Sequence, residues 1–363
     1  MLKLLNLEPE IFGIDISDSS LKIVKLIRKR KVFRLVSFNE VKIKKGVIKE
    51  GVIQDQETLA NIIKMACSTV KGKKLGTKYV IVSLPEEKSF SQLIQMPKMT
   101  EEELKLALPF EAENYIPLAI NKSYLDFQVI NSSKKNSKSL DLLVNVMSRT
   151  IIDSYVLCLK KAGLMPCILE VEPQAIVRAL LKNGENNLPI ILIDLGRDST
   201  TFIIFYDNYI RFTCSIPIYS QQLTNAISDS LGINLHEAET LKIKYGLKKR
   251  EKEHYNISKI IEPVLHDLVI QIKKYIDFYY GHATHEYSPH DGKIEKIILS
   301  GGGASLKNLP DFLSKELEIP VELGNPFINI ILPKNNNFPK EDILSFTTVL
   351  GLALRGSNEQ LDY

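Results

Sequence analysis

Two aspartates in this chain stand at the ends of apolar runs, and each is followed by a tight turn of small residues. The first run is Phe12-Gly13-Ile14-Asp15-Ile16-Ser17-Asp18-Ser19-Ser20-Leu21-Lys22, and the second is Ile191-Leu192-Ile193-Asp194-Leu195-Gly196-Arg197-Asp198-Ser199-Thr200-Thr201. Each reads as a strand, a turn and a returning β-rich strand. A turn that shows backbone N–H groups and hydroxyls to one side can hold a phosphate. Two such hairpins, each opening its own half of the chain, can close on one nucleotide from both sides. A third run, Leu299-Ser300-Gly301-Gly302-Gly303-Ala304, lets backbone come close to a flat ligand and take unusual dihedrals. The plainer alternatives are an aspartate that caps a hairpin turn and a glycine-rich turn that enters a helix with no ligand.

Within the first turn, Ser19 and Ser20 are candidates to donate to phosphate. Lys22 either joins them or is a solvated residue of the second strand, since Leu21 and Ile23 have the opposite parity. Gly196 and Thr200 of the second turn complete the phosphate-facing candidates.

The elements that must position these residues show in the apolar periodicity. A strand over 33–43 extends the first hairpin, a helix capped by Asp55 or Thr58 runs to about 70, and 78–84 is a strand. Thr100 and Glu103 form a capping box for a helix that stops before Pro117. Strands over 124–130 and 140–148 flank a polar turn, and 149–162 is a second helix; Phe110 is expected in the core of this region. A strand at 167–171 and a helix at 173–181 lead to a polar hinge at 183–187. The second half repeats the hairpin order with strands 190–196, 199–206 and 209–216. Helices over 220–230, 235–245 and 257–280 follow, then a strand at 296–299 and helices over 305–318 and 341–354.

At 363 residues the chain is long enough for two lobes. With 44% hydrophobic and 25% charged residues and a formal charge of +4, it has an ordinary globular composition and no nucleic-acid signature. Cys67, Cys158, Cys167 and Cys214 are scattered, which argues against a disulfide framework or structural zinc. No segment approaches 18 apolar residues. The first seven residues are too short and too soon charged for a signal peptide, so an intracellular protein is expected. They read as an amphipathic stub or a frayed end. The basic run at 29–31 and Lys44-Lys45 read as solvated strand ends, with acidic lipid as the alternative partner.

The whole pattern resembles the type IV pilus assembly protein PilM family, relatives of the cell-division protein FtsA in the actin/Hsp70 superfamily. The residues that carry the resemblance are Gly13-Ile14-Asp15-Ile16 with Ser19-Ser20-Leu21-Lys22, Glu111-Ala112-Glu113-Asn114-Tyr115-Ile116-Pro117, Leu125-Asp126-Phe127-Gln128-Val129 and Glu172-Pro173 with Ala175-Ile176. In the second half they are Ile193-Asp194-Leu195-Gly196, Glu237-Ala238-Glu239 with Lys242, Ser300-Gly301-Gly302-Gly303-Ala304 and Asn325-Pro326-Phe327. The resemblance implies an α/β, actin-like ATPase fold of two lobes with duplicated hairpin-containing cores. It divides the chain into a first-lobe core (10–90), an inserted FtsA/PilM-type subdomain (91–164) and a return to the first lobe (165–188). The second-lobe core (189–232), an accessory subdomain (233–293), the rest of the second-lobe core (294–334) and a closing helix of the first lobe (335–363) follow.

The resemblance also implies ATP or ADP with Mg2+ as ligands. Asp15 and Asp194 would face the ion through its water shell, in keeping with magnesium's preference for carboxylate and water oxygens. Ser300, Gly301, Gly302 and Gly303 would pack on adenosine, and Glu239 and Lys242 would cover base and ribose; the alternative for that i,i+3 pair is a surface salt bridge. Two departures stand out. Ser17 replaces a glycine of the first turn, and Tyr219-Ser220 replaces a glycine pair, so that Tyr219 would either crowd the phosphates or fill part of the cleft, and nucleotide binding would be weakened or altered. No residue qualifies as a hydrolytic base, and catalysis beyond a slow ATPase is not implied.

The implied function is a cytoplasmic ATP-binding scaffold of type IV pilus assembly or a related secretion or competence system, peripheral at the cytoplasmic face of the inner membrane. The implied partner is the cytoplasmic tail of a single-span, PilN-like protein. Its tail is expected in a groove between the inserted subdomain and the first lobe, beside 90–130, where Leu93, Ile94, Met96, Met99, Leu104, Leu108 and Phe110 supply apolar surface, most of it subdomain core and some of it open groove. Self-association stays open. The alternatives are an FtsA-like polymer former and a small-metabolite kinase of the same superfamily.

Overall fold

The computed structural model describes residues 10–29, 32–130, 139–182, 188–248, 256–282, 293–332 and 338–357. The stub at 1–7, part of the basic run at 29–31, the 131–138 turn and the 183–187 hinge therefore lie outside the described residues. In the first lobe, β1 (Phe12–Ile16), β2 (Ser20–Lys29) and β3 (Val32–Lys42) form an antiparallel meander. A two-stranded ribbon of β4 (Ile48–Lys49) and β5 (Val52–Ile53) leads to α1 (Gln56–Ser68). Asp55 caps α1 by accepting from the Thr58 N–H (2.9 Å), and Leu59, Ala60, Ile63 and Ala66 bury one face of it. The short β6 (Lys71–Gly72) pairs with β3, and β7 (Tyr79–Leu84) returns parallel to β1.

The chain then leaves this sheet for a smaller one made of β8 (Ser89–Pro97), β9 (Ser123–Ile130) and β10 (Ser139–Ser148), ordered β8-β10-β9, with α2 (Glu101–Ala112) on one face. Thr100 and Glu103 form the capping box of α2. Ile94, Met96, Leu142, Val144 and Val146 pack on Leu104, Leu108 and Ala112 of that helix. Leu93, Ile130 and Leu143 on the opposite sheet face join the core of the second lobe. The strand over 89–97 is absent from the sequence reading, because both faces of β8 are part-buried and its alternation of Ser, Gln and apolar residues is blurred.

The next helix, α3 (Arg149–Lys161), sits with the first lobe. Tyr155, Cys158 and Leu159 share a core with Leu59, Ile63 and Val82, so the boundary expected at 164 falls nearer 148. Parallel β11 (Met165–Val171) and α4 (Glu172–Leu180) complete this part.

The second lobe repeats the first. β12 (Ile190–Leu195), β13 (Thr200–Tyr206) and β14 (Tyr209–Ile216) form the meander. α5 (Ser220–Leu231), α6 (Leu235–Tyr245) and α7 (Ile257–His282) come next, followed by parallel β15 (Lys296–Ser300), α8 (Leu309–Leu317) and β16 (Val321–Leu323). The strand order β16-β15-β12-β13-β14 mirrors β11-β7-β1-β2-β3 of the first sheet. Ala238 of α6 and Ile261, Leu265 and Ile272 of α7 share one cluster with Ile193 and Phe202 of the sheet. Residues 233–293 thus have no core of their own among the described residues.

The chain crosses back earlier than the expected boundary at 334, because β17 (Ile330–Ile331) pairs with β3. A 3-10 turn at Lys340–Phe346 precedes the closing helix α9 (Thr347–Gly356), whose helical start lies six residues later than expected. α9 packs on β1, β2, β7 and α4. A Cβ on Gly351 would overlap the Ala175 carbonyl, so the α4–α9 crossing requires glycine there.

Candidate nucleotide cleft

The two meanders meet at the ends of β1 and β12, where a cleft of about 460 Å3 opens between the lobes. It is lined by Asp15, Ser17, Asp18, Ser19, Ser20 and Lys22 from the first hairpin and by Asp194, Gly196, Arg197, Asp198, Ser199 and Thr201 from the second. Asp15 accepts from Ser83 Oγ (2.7 Å), and Asp194 accepts from Ser300 Oγ (2.6 Å). Both serines lie at the C-terminal end of the strand parallel to that of their aspartate, Ser300 as its last residue and Ser83 one before the last.

Directly opposed residues on neighbouring strands share a sheet face. Asp15, Lys22 and Glu40 form one such rank, as do Asp194, Thr201 and Ser215. Lys22 is therefore buried at the cleft, donating to Ser20 Oγ (3.0 Å) with Glu40 3.6 Å away, and is no solvated strand residue. Thr200 has the other parity. It opposes Leu195, is fully buried and does not line the cleft; Thr201 takes that place.

The glycine run divides in the same way. Ser300 is fully buried and spends its hydroxyl on Asp194. Gly301 has φ 82°, and a Cβ there would overlap the Leu195 carbonyl. Gly303 would bring a Cβ within 2.7 Å of Leu195 Cγ, whereas Gly302 has its nearest neighbour at 3.7 Å and opens on the cleft. In the second turn Gly196 is required, since a Cβ would sit 2.6 Å from the Ser199 carbonyl oxygen.

Glu239 lines the cleft and pairs with Lys242 at 2.9 Å. Lys242 is buried and donates to Ser220 O (3.2 Å), Ser220 Oγ (2.8 Å) and Thr224 Oγ1 (2.9 Å), so it ties α6 to the start of α5 instead of forming a plain surface bridge. Burial lowers the lysine's pKa. Burial pulls Glu239 upward, but Lys242 and Thr224 hold it below the usual glutamate value. Tyr219 does not line the cleft. Its backbone is extended (φ −143°) and its N–H donates to Gln222 Oε1 (2.9 Å), a conformation that needs no glycine.

The cleft carboxylates perturb one another, and two of them, Glu86 and Glu172, have no cleft role in the sequence analysis. Glu172, at the start of α4, is pushed well above the usual range by burial and by Asp15, Asp194 and Glu86. Asp194 is pushed up to about 6 by burial and Asp15, against its bond from Ser300. Glu86, buried in the turn between β7 and β8, accepts from Thr213 of the second lobe. Burial raises it to about 7. Asp198 Oδ2 is buried with no hydrogen-bond partner among the described residues.

Ten carboxylate residues and three cations line this cleft. Such a surface repels a bare polyanion and accepts one that arrives with a cation. Among the described residues no three His, Cys, Asp or Glu side chains converge to hold an ion directly. Asp15, Asp194 and the unpartnered Asp198 Oδ2 offer carboxylate oxygens to this cleft.

Two grooves lie beyond the cleft. The larger, about 690 Å3, runs between Ser89–Gln95 of β8 and Arg211–Ser215 of β14. Of the apolar residues expected to line a groove against the first lobe, Leu93 and Ile94 border this groove toward the second, while Met96, Met99, Leu104 and Leu108 belong to the core between the small sheet and α2. A smaller groove of about 340 Å3 separates Val52, Ile53 and Gln56 of the first lobe from Thr150–Leu157 of α3. Phe110, expected in a core, is 77% exposed because it lies on the outer face of α2 beside the equally open Leu106.

The chain matches the family model of the type IV pilus assembly protein PilM over residues 13–357. Among solved structures it is similar to the PilM-PilN type IV pilus biogenesis complex, with TM-score 0.82 and 25% identity over 97% of this chain and 100% of that one. MreB5 of Spiroplasma citri bound to ADP shares the fold at TM-score 0.55 and 14% identity, each chain being 95% covered. The cell division protein FtsA of Neisseria meningitidis serogroup B is 25% identical over 204 residues, 52% of this chain and 49% of that one. FtsA of Enterococcus faecalis is 27% identical over 198 residues, 49% and 43% of the two chains. The chain spans about half the length of the curated relatives it matches. With the actin-like duplication, the paired aspartates and this match over nearly its whole length, the chain belongs to the type IV pilus assembly protein PilM family.

Proposed function

We propose that this protein is a cytoplasmic ATP-binding scaffold of type IV pilus assembly, held at the inner membrane by the cytoplasmic tail of a single-span, PilN-like protein. The observation that carries the nucleotide part is the paired Asp–Ser geometry on facing hairpins of one acidic cleft. Asp15 and Asp194 would hold Mg2+ through water. Ser19, Ser20 and the turn amides would take phosphate charge, and Gly302 with Glu239 would face the nucleoside. The ion supplies the positive charge that the cleft lacks.

The tail part draws on the similarity to the PilM-PilN complex and on the first-lobe groove between β5 and α3, in place of the groove expected beside 90–130. No helix of the described residues is long and apolar enough to cross a membrane, in keeping with attachment through a partner.

Calorimetry with ATP and MgCl2 tests the first part. Binding should need magnesium and weaken at least about tenfold, on the order of 1.4 kcal/mol, in Asp15→Ala and Asp194→Ala. Equal affinity of all three proteins would reject this geometry. For the second part, deleting the tail of the membrane partner should release the protein from membranes. Unchanged co-purification would reject tail docking.

A further inference from the structure

The first hairpin turn is tied by hydrogen bonds to a surface outside the cleft. Asp18 lies in that turn, and its carboxylate accepts from two successive backbone amides, Glu50 N–H at Oδ2 (2.6 Å) and Gly51 N–H at Oδ1 (2.9 Å). Gly51 lines the cleft with φ 70°, and a Cβ there would come within 2.7 Å of Pro85 Cγ, so the position is restricted to glycine. Its carbonyl accepts from Tyr155 Oη (3.0 Å). Tyr155 belongs to α3, is 1% exposed, and packs in the first-lobe core with Cys158 and Leu159.

The next residues along the chain, Val52 and Ile53, form one wall of the 340 Å3 groove, and Tyr155 contributes to the other. One short segment therefore borders two hollows, with Gly51 in the cleft and Val52 in the groove. Its far end is fixed by Asp55, which caps α1.

We infer that Asp18, Gly51 and Tyr155 form a relay through which occupancy of the cleft and occupancy of the groove along α3 bias each other. Asp18 and Tyr155 act as positioning residues on the segment 50–53. This deepens the nucleotide assignment of the cleft and rests on it. A ligand against Ser17–Ser20 that displaces the turn displaces Asp18. A carboxylate gripping two successive amides carries the backbone at 50–51 with it, since a bidentate hold leaves little freedom to slip. Tyr155 follows because its buried hydroxyl would otherwise be stranded without an acceptor. Burial, together with the nearby Glu172, Asp18 and Asp15 carboxylates, raises the phenol pKa and keeps it a donor. Coupling of this kind is reciprocal, so whatever fills the groove must change nucleotide affinity by the factor that nucleotide changes its own.

The test is hydrogen–deuterium exchange on the full chain with and without Mg-ADP at concentrations saturating each variant, as fixed by calorimetry. In the wild type, nucleotide should slow exchange at least about threefold both in 50–56 and in 150–157. Tyr155→Phe should keep the response in 50–56 and lose that in 150–157. Asp18→Ala, in a half-buried turn, should lose both. A wild type that binds Mg-ADP but shows no change in 150–157 overturns the relay alone, as does a full 150–157 response in Tyr155→Phe. If calorimetry finds no nucleotide binding to the wild type, the nucleotide assignment fails and the relay with it.

Discussion

Ser83 and Ser300 hold equivalent posts in the two lobes, each donating its hydroxyl to the aspartate of the neighbouring parallel strand, at 2.7 Å and 2.6 Å. Such bonds fix the carboxylate rotamer and favour its charged form. For Asp194 the bond opposes burial, which alone would lift the carboxyl further. Ser300→Ala should therefore raise the Asp194 pKa above about 6 and weaken Mg-nucleotide binding several-fold near neutral pH. A hydrogen bond to a charged group is worth about 1.5–3 kcal/mol. Calorimetry across pH checks this, and a variant with unchanged affinity and pH profile would show that the serine is incidental.

The glycine run separates fold from ligand contact. Gly301→Ala puts a methyl into the Leu195 carbonyl at a left-handed φ, and should cost about 1–3 kcal/mol in a urea melt. Gly302→Ala meets nothing closer than Ser345 Cβ at 3.7 Å and should leave stability within about 0.5 kcal/mol. Its methyl projects into the cleft, so nucleotide affinity should fall. Loss of stability in both variants, with affinity unchanged in Gly302→Ala, would remove this loop from the binding surface.

The duplicated hairpins were legible because an apolar run, an aspartate and a small-residue turn recur in order, and a buried central strand leaves few other readings. Parity was legible too, yet Thr200 and Thr201 are neighbours of the same type, and the strand register alone decides which one faces Asp194. The places of Ser83, Glu86 and Glu172 at the cleft were not legible, although Glu172 belongs to a motif that carries the resemblance. A lone serine after an apolar strand, a Pro-Glu-Glu turn and a glutamate opening a helix all have local explanations, and it is the packing of one lobe on the other that brings them together. The placement of α3 failed for a similar reason. Its apolar stripe at Tyr155, Cys158 and Leu159 states that it is buried on something, and only tertiary contact shows that α1 and the first sheet are the cover.

Glu86 and Thr213 bridge the lobes beside the cleft, and Glu86 is raised to about 7 by its burial. The folded values of Glu86 and Asp194, about 7 and about 6, both lie above the ordinary 4.5 and 3.8. The folded state thus binds these protons more tightly than the unfolded chain does, and stability falls as pH rises through 6 and 7. Melting temperature without nucleotide should accordingly be higher at pH 6 than at pH 8. Glu86→Gln keeps an acceptor for Thr213 and mimics the protonated group. It should raise stability at pH 8 on the order of 1–3 kcal/mol and flatten the slope between pH 6 and 8. Parallel pH slopes for the two proteins would place the titration elsewhere.

The two faces of α2 give the last expectation, because neighbouring apolar residues there have opposite fates. Leu108 is fully buried against the three-stranded sheet, whereas Leu106 and Phe110 are 74% and 77% exposed. Leu108→Ala removes packed methyl groups and should cost about 2–5 kcal/mol. Leu106→Ala and Phe110→Ala should each stay within about 0.5 kcal/mol, since an exposed ring loses little on truncation. Chemical denaturation of the three variants measures this directly. The exposed pair also separates two routes of partner binding. If the membrane partner's tail docks in the groove along α3, Phe110→Ala leaves its affinity unchanged while Leu157→Ala, at an exposed position of that groove, weakens it. The reverse pattern would move the docking surface to the outer face of α2.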